Sequence, residues 1–166
     1  MSGSDPHTAE PSLTHFAAPW CTRVRVTTAA GVILLLVVAR SLEGTVTWLP
    51  LTLLLGASLL SVRGYSIRAG SVLVHRLGWS TTIPLEELKD VRVDPGVTRG
   101  SIRTFGNGGL FGFVGHFRNG VLGAYRAYLT DPDLAVVLDL GSRRVVVSPE
   151  RPNLFAEEVR RAAGVT

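Results

Sequence analysis

Two uncharged apolar runs, separated by only a few residues, constrain this chain more than any other feature. The first lies between Arg25 and Arg40, with no charge from Val26 to Ala39. The second reads G-T-V-T-W-L-P-L-T-L-L-L-G-A-S-L-L-S-V from Gly44 to Val62 and is also uncharged. An α-helix rises about 1.5 Å per residue, so a hydrocarbon core of about 30 Å takes roughly 20 residues. The second run meets that length. The first meets it when Val24 and Leu42 join and Arg25 and Arg40 snorkel to the interfaces. Trp20 and Trp48 then fall near the headgroup levels, and Pro50 sits in the first turns of its helix, where a missing N–H costs least.

Two rival readings fare worse. Buried helices of a soluble domain need polar cover, yet the 166 residues are only 18% charged, with 46% hydrophobic residues and a mean hydropathy of +0.29. A cleaved leader ending at Val37-Val38-Ala39 would have about two dozen residues before its apolar core and a second apolar run directly after it. The expectation is a transmembrane helical hairpin over residues 23–63. Arg23 and Arg25 precede it and Arg63, Arg68 and Arg76 follow it, while the tip offers only Arg40 and Glu43. The positive-inside bias therefore puts both termini in the cytoplasm and gives a multi-pass protein of two spans in the cell membrane.

Residues 1–22 carry two acids, two histidines and no Lys or Arg, among Gly, Ser, Pro and Thr. Few apolar groups are present to offset the entropy of ordering, so a disordered tail is expected. One cysteine, Cys21, excludes an internal disulfide and a multi-cysteine zinc site, and four scattered histidines make no metal centre.

From residue 64 to 166 the pattern changes to short strands. Candidates are residues 65–68, 72–76, 79–83, 91–94, 125–129, 134–140 and 144–147, with turns at Ala69-Gly70 and Gly141-Ser142. The end turns helical: Leu154, Phe155, Val159, Ala162 and Ala163 recur at helical spacing, Asn153 can cap the start, and Gly164 ends the helix. About seven strands plus one amphipathic helix predict a small antiparallel sandwich or barrel closed by that helix.

Five stretches together resemble bacterial pleckstrin-homology-like (PH-like) membrane proteins: Gly64 to Ile67, Arg76 to Trp79, Ile83 to Val91, Ser101 to Gly112, and Val147 to Glu150. The resemblance spans roughly Arg63 to Ala163 plus the preceding hairpin. It implies two bent antiparallel sheets closed at one end by the C-terminal helix, and it implies no enzyme activity. Basic residues on the first two strands are limited to Arg68, His75 and Arg76, so an inositol-phosphate specificity is not carried over.

The stretch from Thr104 to Phe117 is uncharged, with Gly106, Gly109, Gly112 and Gly115 at every third position and Gly108 added. A phosphate loop needs Lys then Ser or Thr after its last glycine, and His116-Phe117 stands there instead. A dinucleotide fingerprint needs a βαβ unit, and none is present. Two readings stay open. The glycines let a tight, buried bend pack closely, or the segment rests on the membrane face or a partner's helix. In the second reading the contact residues are Phe105, Leu110, Phe111 and Phe113, flanked by Arg99, Arg103 and Arg118.

Residues 63–166 hold 14 basic and 10 acidic residues without a dense basic run or interleaved aromatics, which argues against nucleic acid. Ser148 in S-P-E has no nucleophile-elbow context, and Asp131 and Asp133 around Pro132 read as a turn. The sequence therefore predicts no enzyme, no cofactor and no metal. It predicts a cytoplasmic PH-like binding or scaffolding module on the bilayer, with a membrane protein or another copy of the chain as partner. The alternative is an accessory subunit of a larger transport or envelope complex.

Overall fold

A computed structural model describes residues 14–68 and 70–165. Most of the expected tail, residues 1–13, and Ala69 of the first turn lie outside them.

The first described element corrects the tail assignment. Thr14–Ala17 forms strand β1, and Phe16 within it is fully buried. Burial of the Phe16 ring and the antiparallel pairing of all four residues with β2 together offset the cost of ordering a segment that otherwise looks like linker. Helix α1 follows at Thr22–Ser41, then a 3-10 turn at Gly44–Thr47 and helix α2 at Trp48–Leu59. Among the described residues α1 alone is long and apolar enough to cross a bilayer. The expected second full-length helix is replaced by the 3-10 turn and twelve α-helical residues. Thr47 donates its hydroxyl to the Leu42 carbonyl at 2.9 Å, holding the tight turn, and Pro50 brings no N–H to the first turn of α2. At the far end Val62 already belongs to the next strand.

Strands β2 (Val62–Arg68), β3 (Ser71–Arg76) and β4 (Ser80–Pro84) join β1 in a four-stranded sheet of order β1-β2-β3-β4. The other six strands are β5 (Asp90–Val93), β6 (Ile102–Gly108), β7 (Phe113–Asn119), β8 (Gly123–Leu129), β9 (Val136–Asp139) and β10 (Arg144–Val147). They form a second sheet of order β5-β9-β10-β8-β7-β6. The total exceeds the expected seven strands because β1 emerges from the tail and β6 and β7 from the glycine-rich stretch. The arrangement is not purely antiparallel: β10 runs parallel to β8.

Helix α3 (Pro152–Ala163) packs on β2, β3 and β5. Its start differs by two residues from the expected Asn153 cap, since Arg151 is the cap and Pro152 the first helical residue. Gly164 ends it in the left-handed conformation, as the sequence predicts. Phe155 meets Phe16 edge-on at 5.2 Å and Tyr65 at 5.9 Å, so helix and both first strands share one core.

The central strands of the second sheet are apolar on both faces. Val136, Leu138, Val145 and Val147 enter the core shared with α3, while Val137 and Val146 point to the opposite face. Period-two alternation therefore builds a second apolar layer from Val97, Leu122, Tyr125, Ala127 and Leu129.

Candidate functional site

The glycine-rich stretch is a β-hairpin, β6 and β7, laid against the start of α1. Gly106 and Gly115 face each other in register with φ of +115° and +145°. A Cβ on either would run into the partner strand's backbone, at the carbonyl of Val114 or of Phe105. Close approach is the reason for glycine at both positions. At the tip, the Gly109 N–H donates to the Gly112 carbonyl at 2.9 Å, and Asn107 donates its amide to the Leu110 carbonyl.

Phe111 is held at φ +60°, the only non-glycine residue at positive φ among the described residues. Such a conformation costs about 1–3 kcal/mol and persists only where its surroundings impose it. Here the Phe111 N–H donates to Thr28 Oγ1 of α1 at 2.8 Å, and its ring meets Trp20 edge-on at 6.1 Å. Leu110 fills the space that a Cβ on Gly31 would occupy. The hairpin tip is therefore fastened to the second and third turns of α1.

Beside this contact lies a groove of about 1100 Å³ on the outer face of the second sheet. Its base is lined from β7 and β8 by Phe113 opposite Leu129, Phe117 opposite Tyr125, and Ala127 between them, all but Phe113 buried in the second core layer. The start of α1 makes one wall, through Trp20, Cys21, Arg23 and Arg25. That wall is tied to the sheet by the Cys21 N–H, which donates to the Thr130 carbonyl at 3.3 Å. The segment from Gly96 to Ser101 makes the other wall. Asn119 donates to the Val97 carbonyl at 2.7 Å and to Ser101 Oγ at 2.9 Å. Tyr125 also donates to Ser101 Oγ, at 2.8 Å, and burial pushes its phenol pKa up.

Arg23, Arg25 and Arg99 stand on the groove rim with Asp131 and Asp133. Among the described residues, no ion pair within 4.0 Å joins any of these arginines to a carboxylate. Asp131 instead accepts the Asp133 N–H at 3.0 Å, making the turn expected around Pro132.

The structure thus distributes the sequence-predicted contact residues. Leu110 and Phe111 meet α1, and Phe113 and Arg99 line the groove. Phe105 is 77% exposed on the edge strand β6, with Ile102 beside it at 73%. Arg103 lies along Gly108, and Arg118 is exposed on β7. Neither lines the groove.

Two features escaped the sequence reading. The floor residues Phe117, Tyr125 and Leu129 alternate along their strands, the one signal that could have marked them as a common face. Arg76 and Arg126 converge on the Tyr128 ring at 4.9 and 5.4 Å, and Arg76 also lies 5.7 Å from the Trp79 ring. Val62, where the chain leaves the helical pair, is paired with Arg76.

Ser148 and His75 both make hydrogen bonds within the domain. Ser148 is fully buried and accepts the N–H groups of Thr130 at 2.9 Å and Asp131 at 3.2 Å. His75 bridges Ser66 Oγ at 2.7 Å and Ser80 Oγ at 2.9 Å and stacks on His15 at 5.8 Å.

Comparison with known proteins matches the model of the bacterial PH domain to residues 63–163, from the first residues of β2 to the end of α3. No curated protein and no solved structure gives a match. The chain belongs to the bacterial PH domain family.

Proposed function

We propose that this is an integral membrane protein that holds its PH-like domain directly against the cytoplasmic face of the bilayer, as a binding or scaffolding module. The observation that carries the reading is the pairing of Ala17 with Gly64. The strands on either side of the helical pair are neighbours in one sheet, so the chain leaves and returns at one point. Inserted helices would then have to go out and come back. Helix α1 supplies a full crossing, with Ile33 and Leu34 each 62% exposed. The 3-10 turn and α2 together rise about 26 Å, close to the apolar thickness of a bilayer. Arg23, Arg25, Arg63 and Arg76 lie at the domain end of the helices, against Arg40 and Glu43 at the turn, which favours a cytoplasmic domain.

Cysteine accessibility tests this in intact cells, in a Cys21→Ser background. Glu43→Cys should react with a membrane-impermeant maleimide from outside, and Gly120→Cys only after permeabilisation. The opposite pattern, or extraction of the chain from membranes by alkaline carbonate, would sink the proposal.

A second reading, an accessory subunit of a larger membrane complex, is favoured by the apolar exposure around α2. Trp48, Leu53 and Leu55 are all more than half exposed, a surface that another protein's membrane helices would cover as well as lipid. Purification in mild detergent separates the two: a stoichiometric membrane partner supports the subunit, a monomer or homo-oligomer the self-contained module.

A further inference from the structure

We infer that the tip of the β6–β7 hairpin is immersed in the cytoplasmic leaflet beside α1, at the level of the upper acyl chains, so that the domain itself forms a third element in contact with lipid. This deepens the membrane reading above and rests on it.

The helix fixes the depth. Val24, Thr28 and Gly31 recur at helical spacing on one face of α1, and the first two are buried. The tip is bonded to Thr28 through the Phe111 N–H and reaches as far as Gly31, where a Cβ would lie 2.7 Å from Leu110. Arg25 is the last charge before the apolar run. Thr28 lies about 4.5 Å and Gly31 about 9 Å beyond it along the helix axis. Were the tip to stay outside the bilayer, α1 would have only residues 32–41 for its crossing. Those rise about 15 Å, half of a hydrocarbon core of about 30 Å. A crossing α1 therefore carries the tip in with it.

The tip has the chemistry for that level. From Thr104 to Phe117 the chain carries no charge. Backbone groups that water would otherwise serve are paired within the protein. The Gly109 N–H donates to the Gly112 carbonyl, the Phe111 N–H to Thr28 Oγ1, and the Asn107 amide to the Leu110 carbonyl. Phe105, 77% exposed on the edge strand, gives the hairpin an apolar flank for lipid to cover.

The flanking charges set the limit of immersion. Arg118 pairs with Ile102 at the open end of the hairpin. Arg103, exposed beside Gly108, has a stem long enough to keep its guanidinium among the headgroups. At this level water still reaches the free edge of β6, whose unpaired backbone groups would exclude it from the centre of the bilayer.

Depth-dependent quenching tests the proposal in the full chain, in a Cys21→Ser background reconstituted into phosphatidylcholine vesicles. An environment-sensitive fluorophore is attached through Gly108→Cys or Phe105→Cys, both at exposed positions, or through Val121→Cys at the opposite end of β7. Phosphatidylcholine with a nitroxide high on its acyl chain should quench the Gly108→Cys label more than one with the nitroxide near the chain end. The pair should place that label about 5–10 Å below the phosphates, the depth of an interfacial segment. Phe105→Cys should be quenched less strongly, and its exposed site keeps the test open if the glycine variant misfolds. The Val121→Cys label should ignore both lipids and yield to aqueous iodide. Equal lipid quenching of the tip and Val121→Cys labels, or free access of iodide to the tip labels, overturns the proposal. Protection of the tip labels from lipid and iodide alike marks a protein over the tip and overturns lipid as its occupant. The Glu43→Cys labelling in intact cells is scored separately. External reaction there with an unquenched tip keeps the crossing and removes the immersed hairpin. A quenched tip with Glu43→Cys closed to the reagent supports the immersed hairpin and removes the crossing.

Discussion

The hydroxyl of Tyr65, on the first sheet, donates to the carbonyl of Tyr128, on the second, at 2.6 Å. The same oxygen accepts the Ser148 N–H at 3.1 Å, and all three residues are buried. One phenol thus joins the sheets where β8 and β10 run parallel. Tyr65→Phe keeps the ring and orphans a buried N–H, which costs about 1–3 kcal/mol. Urea unfolding of the detergent-solubilised chain should show that loss with an unchanged slope.

Burial pushes the Tyr65 pKa up from 10.0 to about 12. In the unfolded chain the phenol ionises near 10, whereas the folded chain keeps it neutral. The stability it confers is whole below pH 10 and falls as pH rises from 10 towards 12. Melting temperatures across that interval should drop less steeply for Tyr65→Phe than for the parent.

His75 behaves in the opposite sense. Burial, and then the nearby His15, lower its pKa below 6.5. The folded state therefore resists protonation, so its contribution is present above pH 6.5 and lost as pH falls through the depressed value. His15→Gln should raise the His75 pKa in an NMR titration. An unmoved titration would mean that the stacked pair is not electrostatically coupled.

Phe16→Ala should destabilise the protein by about 3–5 kcal/mol, as should Phe155→Ala, because the two rings pack on each other in the core. The double variant should cost less than the sum of the singles, since each truncation removes the same contact. Strict additivity in thermal unfolding would show that β1 is not docked under α3.

The hairpin tip is tested by Thr28→Val, which removes the acceptor for the Phe111 N–H at nearly constant volume. Hydrogen exchange at Phe111 should accelerate, with the protection of β9 and β10 unchanged. Gly115→Ala should be harsher, costing more than about 1 kcal/mol, because both its positive φ and the Phe105 carbonyl oppose a Cβ.

What was legible in the sequence follows from how local each signal is. Helix α3 declares itself because Phe155 and Val159 repeat at its own period and Gly164 ends it. Strands β9 and β10 stand out as apolar runs bounded by turn residues. The hairpin of β6 and β7 was hidden because glycine carries no alternation: with Gly106, Gly108 and Gly115 in the strands, no face can be read. Strand β1 has one core residue, Phe16, and its partner lies beyond both helices. The groove was less visible still. Arg99 and Phe113 read as contact residues from the sequence, but the base spans two strands and a wall comes from the start of α1, so the members meet only through tertiary packing.

The adjacency of β1 and β2 also sets an order of assembly. Synthesis delivers Phe16 first, yet among the described residues β2 alone pairs with β1, and both helices are made in between. The first sheet cannot be completed until the intervening segment has been released and has turned back on itself. Helical segments that fail to return would leave Phe16 without its place under Phe155, exposing an unfinished sheet edge to proteases and chaperones. Closure of β1 on β2 thus comes only after the two helices it encloses have turned back to bring their ends together.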